Sequence, residues 1–325
     1  MTERRPNRRR FLRDALGLAA AAGAAGARGA GARAEGAPAE AAAKRTHPVR
    51  LGGPLPLPED PEEMALAHRK VGYRAAYCPD LSLADAPRIR AVEAAFKKHG
   101  VAIAEVGRWV NLMEADPAKR KANLDFVTQG LALADEVGAR CCVDIAGSYN
   151  EKVWFGPHPE NLSRRFFDEA VENARKVIDA VKPKRAKFSY EMMGWALPDG
   201  PDSYLEMLRA VDRKGFGVHL DVANLVNSPR RFYENSALIA ECFEKLGPWI
   251  ASCHAKDLVW DVEMNVHFRE VRPGTGSLDF RTYLRRLAEI ESSPPLMLEH
   301  LPNAEEYDAA RAYLLDLGRS LGLDI

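Results

Sequence analysis

Residues 185–221 read RAKFSYEMMGWALPDGPDSYLEMLRAVDRKGFGVHLD. Two short apolar runs, RAKFSYE and FGVHLD, each end on a carboxylate, Glu191 and Asp221. Between them DSYLEMLRAVDRKG carries apolar residues at helical spacing and closes on Gly215, the residue type favoured just past a helix end. Short apolar strands joined by helices are buried on both faces and lie parallel. The segment therefore predicts one strand–helix–strand unit.

The same alternation extends in both directions. Upstream runs are PVRLGG, YRAAYC, VAIAEV and RCCVDIAG, and downstream runs are WIASCH and PLMLEH, each followed by an amphipathic helical pattern. Eight such units within residues 46–325 predict an α/β fold, a (β/α)8 TIM barrel forming a single domain. A doubly wound open sheet is the alternative, but the first run is followed by LGGPLPLPED, which lacks the glycine-rich nucleotide fingerprint.

The chain has 325 residues with 46% hydrophobic and 28% charged content, enough for a large core. Its 46 basic and 46 acidic residues cancel, so no global field favours nucleic acid or an anionic membrane. The expected partner is a small molecule, and a homo-oligomer is left open. Residues 1–45 read as a leader and linker: Arg8, Arg9, Arg10, Phe11, Leu12 and Arg13 resemble the twin-arginine export signature, ahead of a short alanine- and glycine-rich stretch. Ala32-Arg33-Ala34 offers a small-x-small cleavage site. This predicts a protein folded before export, periplasmic, with no stable membrane span after processing. The alternative is a disordered basic tail before an alanine-rich linker. The five cysteines lack CxxC spacing and read as small core residues, with Cys141 and Cys142 pointing to opposite faces of one strand.

Barrel chemistry gathers at the C-terminal strand ends. The fifth to eighth runs end on Glu191, Asp221, His254 and Glu299. Buried carboxylates need compensating positive charge, and the nearest cation, Lys256, cannot neutralise three acids. A divalent metal can, and the oxygen majority favours Mn2+, with Mg2+, Co2+ or Zn2+ as alternatives. The competing reading is an architectural polar cluster, in which His254 of SCHAKDL is a hydrogen-bonded core histidine. His219 shares a strand face with Asp221 and reads as a hydrogen-bonded residue one layer deeper. His267 is a candidate acid, extra ligand or plain loop residue. Lys256 is a candidate for a substrate oxygen or for Asp257. Trp109, Asn111, Trp154 and Trp195 could face sugar C–H surfaces or cap the barrel mouth. Glu105 reads as holding the loop GRWVN, and RPGTG reads as a turn rather than a phosphate cradle.

FSYEMM around Glu191, HLDVAN around Asp221, SCHAKD around His254, RPGTGSLDF from Arg272 and LMLEH around Glu299 resemble the xylose isomerase-like TIM-barrel superfamily of sugar isomerases and epimerases. The resemblance covers the chain after the leader. It implies metal ligation by Glu191, Asp221, His254 and Glu299, proton movement by Glu191 and Glu299, and a substrate grip by Arg272. Two positions depart from the ketose 3-epimerases: Asn224 stands where they carry a histidine, and Leu197 where they carry a glutamate. The expected activity is a metal-dependent sugar isomerase or epimerase that moves a proton α to a carbonyl through an enediolate. Expected substrate contacts are Arg272, Asn224, Lys256, His267, Trp109 and Trp195. Rival readings are a lyase or hydratase of 3-keto-glycosides, an apurinic endonuclease and a non-catalytic sugar-binding module. The endonuclease reading is opposed by Cys78 and Glu105 at the second and third strand ends and by the zero net charge.

Overall fold

In the computed structural model, which describes residues 45–325, all eight apolar runs become staves of a parallel barrel. The leader expected before residue 45 lies outside the described residues. In chain order the strands are β1 (Arg50–Gly52), β2 (Ala75–Ala76), β3 (Ala102–Ile103), β4 (Glu105–Gly107), β5 (Cys141–Asp144), β6 (Lys187–Glu191), β7 (Phe216–Leu220), β8 (Ile250–Ala255), β9 (Asp257–Asp261), β10 (His267–Val271) and β11 (Pro295–Leu298). The main sheet runs β3-β2-β1-β11-β8-β7-β6-β5-β4. Its two ends are halves of one stave, interrupted only at Ala104. Ala104 N–H donates to Ala76 O at 2.8 Å on one side, and Ala104 O accepts from Cys141 N–H at 3.2 Å on the other. That stave closes the barrel.

Helices α1 (Pro61–Lys70), α2 (Ala86–Lys98), α3 (Pro117–Val137), α4 (Arg164–Val181), α5 (Pro201–Val211), α6 (Pro229–Tyr233), α7 (Asn235–Leu246), α8 (Phe280–Ala288) and α9 (Ala304–Ser320) connect the staves. Several begin where the sequence supplies a capping oxygen and a proline: Asp60 accepts from Glu63 N–H ahead of Pro61, and Asp116 from Ala118 and Lys119 N–H ahead of Pro117. Along α4, Phe166, Phe167, Ala170, Val171, Ala174, Val177 and Ile178 are buried at three- and four-residue spacing, so one face covers the barrel wall. The helical pattern that follows β7 breaks at Glu234, between α6 and α7. There the Asn235 amide donates to Phe232 O at 2.7 Å and to Ser277 O at 3.0 Å.

The segment DVEMNVHFREV contains His267, for which a loop position was one expectation. It belongs to an antiparallel hairpin, β9 with β10, in which Asp257 pairs with Val271 and Asp261 with His267. Apolar Val262, Met264 and Val266 are exposed at its tip, so hydrophobicity along the segment does not follow burial. Its order comes from tertiary packing: Phe268 stacks on Phe232 with ring centroids 5.0 Å apart, and Trp260 meets both rings edge-on.

The main core lies between staves and helices, and the lumen is filled by small clusters such as Cys141, Val143 and Ala251. Cys142 points the other way, into the wall core. All five cysteines are free. Among the described residues no helix is long and apolar enough to cross a membrane.

Candidate metal and substrate site

Staves β6, β7, β8 and β11 are consecutive neighbours in the sheet, and their C-terminal ends bring four residues together. Glu191 is the last residue of β6, Asp221 follows β7, His254 lies near the end of β8, and Glu299 follows β11. One ligand atom from each lies within 4.8 Å of all the others, an arrangement that could hold a metal ion. His254 Nδ1 is 2.6 Å from Glu299 Oε1, 3.5 Å from Glu191 Oε1 and 3.7 Å from Asp221 Oδ2.

Lys256 occupies the same space. Its buried Nζ lies 2.8 Å from Asp221 Oδ2, 2.5 Å from Glu299 Oε1 and 3.4 Å from Glu191 Oε1. Asp257, one of the two candidate partners of Lys256, is committed elsewhere: its oxygens accept from the N–H groups of Leu258, Gly274, Gly276 and Leu278 at 2.8–3.0 Å. This pins the RPGTG turn, whose amides serve Asp257 rather than a phosphate. A Cβ on Gly276 would lie 2.3 Å from Asp257 Oδ1, so the turn needs glycine at that point.

Burial opposes charge throughout the cluster, and mutual attraction outweighs it. Lys256 and His254 hold the Asp221 carboxyl far below the usual range, and they lower that of Glu299. In return, Asp221, Glu191 and Glu299 raise Lys256, while Glu105, Glu191 and Glu299 raise His254 well above an ordinary imidazole. Asp221 Oδ2, His254 Nδ1 and Glu299 Oε1 are buried without a properly oriented hydrogen bond, although Lys256 and one another lie within ion-pair reach. Three carboxylates with lone pairs left open, and an imidazole once it gives up its Nδ1 proton, suit a divalent cation. The residues fit the metal, provided that the Lys256 ammonium moves out.

Beneath this cluster sits a group whose role the sequence reading misplaced. Glu105 does not hold the GRWVN loop; its side chain enters the lumen, where it is 1% exposed. Glu105 Oε1 is 3.1 Å from His254 Nε2, while Oε2 is 2.9 Å from His219 Nε2 and accepts from Ser252 Oγ at 2.8 Å. Its carboxyl is held far below the usual range because His219 and His254 overcome the burial cost. Glu105 thus supports His254 from behind and fixes which ring nitrogen faces the acids. His219 lies one layer deeper than Asp221, as the strand period implied.

Above the acids opens a cavity of about 430 Å3. Glu191, Asn224, Lys256 and Glu299 line its charged part. Trp109, Trp154, Phe155, Met193 and Trp195 form one wall, and Glu270 and His300 stand among the remaining lining residues. Asn224 Nδ2 donates to Glu191 Oε1 at 2.7 Å, so this residue orients a carboxylate of the cluster. Glu270 and His300 were not anticipated. His300 adopts a left-handed backbone, φ 57°, with Nδ1 3.2 Å from Glu270 Oε2 and Nε2 3.4 Å from Glu299 Oε2. Its place directly after Glu299 was the available signal; Glu270 becomes relevant only once the hairpin is known.

Of the expected substrate contacts, Trp109, Trp195, Asn224 and Lys256 line the cavity, whereas Arg272 and His267 do not. Arg272 Nε lies 2.8 Å from Glu306 Oε2, in a neighbouring cavity that shares Glu270 and His300. His267 is exposed at the start of β10, with Nδ1 3.6 Å from Glu263. The hairpin carries His267 away from the acids, and α9 takes up the Arg272 charge.

Three solved structures illustrate how widely this fold is shared. A xylose isomerase-like TIM barrel protein from Mycobacterium smegmatis in complex with magnesium is 18% identical, with a TM-score of 0.58, and the match covers 84% of this chain and 97% of that one. D-psicose 3-epimerase from Clostridium cellulolyticum H10 is 15% identical, TM-score 0.58, covering 85% and 100%. The 3-keto-D-glucoside 4-epimerase of E. coli is 15% identical, TM-score 0.57, covering 82% and 99%. Identities this low carry the fold alone. No curated protein matches the chain by sequence. Residues 67–317 match the xylose isomerase-like TIM barrel family, and the chain belongs to that family.

Proposed function

We propose that this protein is a divalent-metal-dependent sugar isomerase or epimerase that moves a proton α to the carbonyl of a ketose or keto-sugar. The observation that carries the reading is the meeting of Glu191 and Glu299 with Asp221 and His254 at a cavity lined by aromatic residues. Structural relatives named as D-psicose 3-epimerase, L-ribulose 3-epimerase and 3-keto-D-glucoside 4-epimerase support it.

Glu191, Asp221, His254 and Glu299 would hold the metal, Mn2+ by preference, which when bound would supply electrophilic stabilisation of the oxygen that gains charge as the proton leaves. The remaining work falls to the side chains. One glutamate removes the proton and the other returns it. The Asn224 amide steadies Glu191, and His300 contacts the second oxygen of Glu299. Lys256, once displaced from the acids, is within the cavity and able to donate to a substrate oxygen. The leader read before residue 45 would place this activity outside the cytoplasm.

Metal analysis of the purified protein, followed by NMR in D2O with a panel of ketoses and keto-glycosides, tests the reading. Deuterium should enter at the α-carbon without release of an aglycone; release would indicate elimination instead. Absence of exchange in the Mn2+-loaded protein across the panel would sink the proposal.

A further inference from the structure

The cavity walls are unequal. Trp109 follows β4, Trp154 and Phe155 lie in the loop after β5, and Met193 and Trp195 follow β6, so three consecutive staves contribute an apolar wall. These rings remain open to solvent: Trp109 is 42% exposed, Phe155 44%, Trp154 37% and Trp195 36%. Open aromatic surface of this extent on one side of a cavity marks a ligand-binding face.

The wall is nevertheless firmly built. Trp195 Nε1–H donates to Phe155 O at 2.8 Å, and the rings of Trp154 and Phe155 meet edge-to-face at 5.2 Å and 83°. Gly107 leaves room for the Trp109 indole, since a Cβ there would lie 2.8 Å from Trp109 Nε1. The β5 loop is fastened by buried Asn161, whose amide bonds Tyr149 N–H at 3.0 Å and Gly156 O at 3.2 Å, while its backbone O accepts from Leu197 N–H at 3.1 Å. Rings held in this way lose little freedom when a ligand arrives.

Its chemistry selects the ligand. The apolar wall offers no carboxylate, amide or hydroxyl side chain, and the Trp195 N–H is already engaged. A second sugar ring could present its C–H face there but would find only the Trp109 and Trp154 indole N–H groups and solvent for its hydroxyls, whereas an aromatic ring covers the wall without needing a polar partner. The carbonyl and neighbouring hydroxyl of one sugar belong over the acids, and the cavity extends beyond them along the wall. We infer that the natural substrate is a keto-glycoside whose aglycone is an aromatic ring, with the sugar over the acids and the aglycone against Trp109, Trp154, Phe155 and Trp195. This inference rests on the proposed reaction for the placement of the sugar but not for the existence of the aryl subsite.

The Mn2+-loaded protein is titrated with phenyl β-D-glucopyranoside and with methyl β-D-glucopyranoside, by calorimetry and tryptophan fluorescence. The phenyl glycoside should bind about tenfold more tightly and perturb the fluorescence. Trp109→Ala and Trp195→Ala should each reduce that preference to less than about threefold, with calorimetric Mn2+ uptake confirming that the variant is folded. Should either variant fail to take up metal, Trp195→Phe provides the same comparison with an aromatic ring retained and should keep most of the preference. Equal affinity of the two glycosides for the wild-type protein overturns the inference. Phenyl preference without deuterium exchange in any keto-sugar removes the proton-transfer reading and leaves the aryl subsite; exchange without phenyl preference does the reverse.

Discussion

Lys256 Nζ lies 2.8 Å from Asp221 Oδ2, in the space that the four candidate ligands would share with a metal ion. An ammonium and a divalent ion cannot both stand there, so Lys256 competes with the metal and keeps the acids compensated in its absence. Lys256→Met should tighten Mn2+ binding by about tenfold and destabilise the metal-free protein by about 3–5 kcal/mol, the cost of leaving buried carboxylates unpaired. Calorimetry with Mn2+ and chemical unfolding in chelator measure the two effects. Unchanged metal affinity would show that Lys256 does not hold the metal position.

Glu105→Gln tests the support beneath His254. The amide is isosteric but removes the negative charge that two histidines and Ser252 share. Metal affinity should fall by about 10–100-fold, measured by competition with a chromogenic chelator. Glu105→Ala should unfold at a clearly lower temperature than Glu105→Gln, because it also opens a cavity beside two buried imidazoles.

Glu191→Gln and Glu299→Gln should each lower deuterium exchange by about 10²–10⁴-fold. Asn224→Ala should cost less, about tenfold, since it removes one hydrogen bond to Glu191 rather than the carboxylate. Rates from NMR at saturating Mn2+ separate these outcomes. A Gln variant that retains wild-type exchange would exclude that glutamate from proton transfer.

Far from the site, Asp135 on α3 accepts from the N–H groups of Lys184, Arg185 and Ala186 at 2.6–2.9 Å and ties the helix to the approach of β6. Burial opposes its charge, but those amides outweigh it and lower the carboxyl below its usual range. A depressed folded-state pKa means that the contribution is full above the unfolded value and is lost as pH falls through the folded one. Asp135→Ala should therefore cost about 1–2 kcal/mol at pH 7, a modest figure because water screens the group. The difference should shrink as the pH drops below about 4, as followed by urea unfolding at several pH values.

The barrel was legible because its strands are short and apolar, its helices are capped, and each unit repeats both signals. The four converging residues were legible for a related reason: carboxylates and an imidazole at the ends of apolar strands violate the burial pattern and so stand out. Glu105 also interrupts an apolar run, but its direction into the lumen and its partners on β7 and β8 are tertiary facts. The β9–β10 hairpin escaped because its order comes from Trp260 and Phe268 packing on Phe232, not from its own alternation. Where Arg272 and His267 lie was not legible for the same reason. Their positions depend on that hairpin and on Glu306 of α9.

The stave broken at Ala104 has a consequence for assembly. Its upper half begins with Glu105, whose carboxylate reaches partners 114 and 149 residues further along the chain. Contacts at such separation form only after much of the loop-closure entropy has been overcome. A growing chain that has not yet emitted residue 219 possesses the seam but neither imidazole for it to clasp. The support beneath His254 and the four-ligand cluster above it are complete only when β8 and β11 have joined the sheet, so a half-built molecule presents no finished trap to stray metal ions.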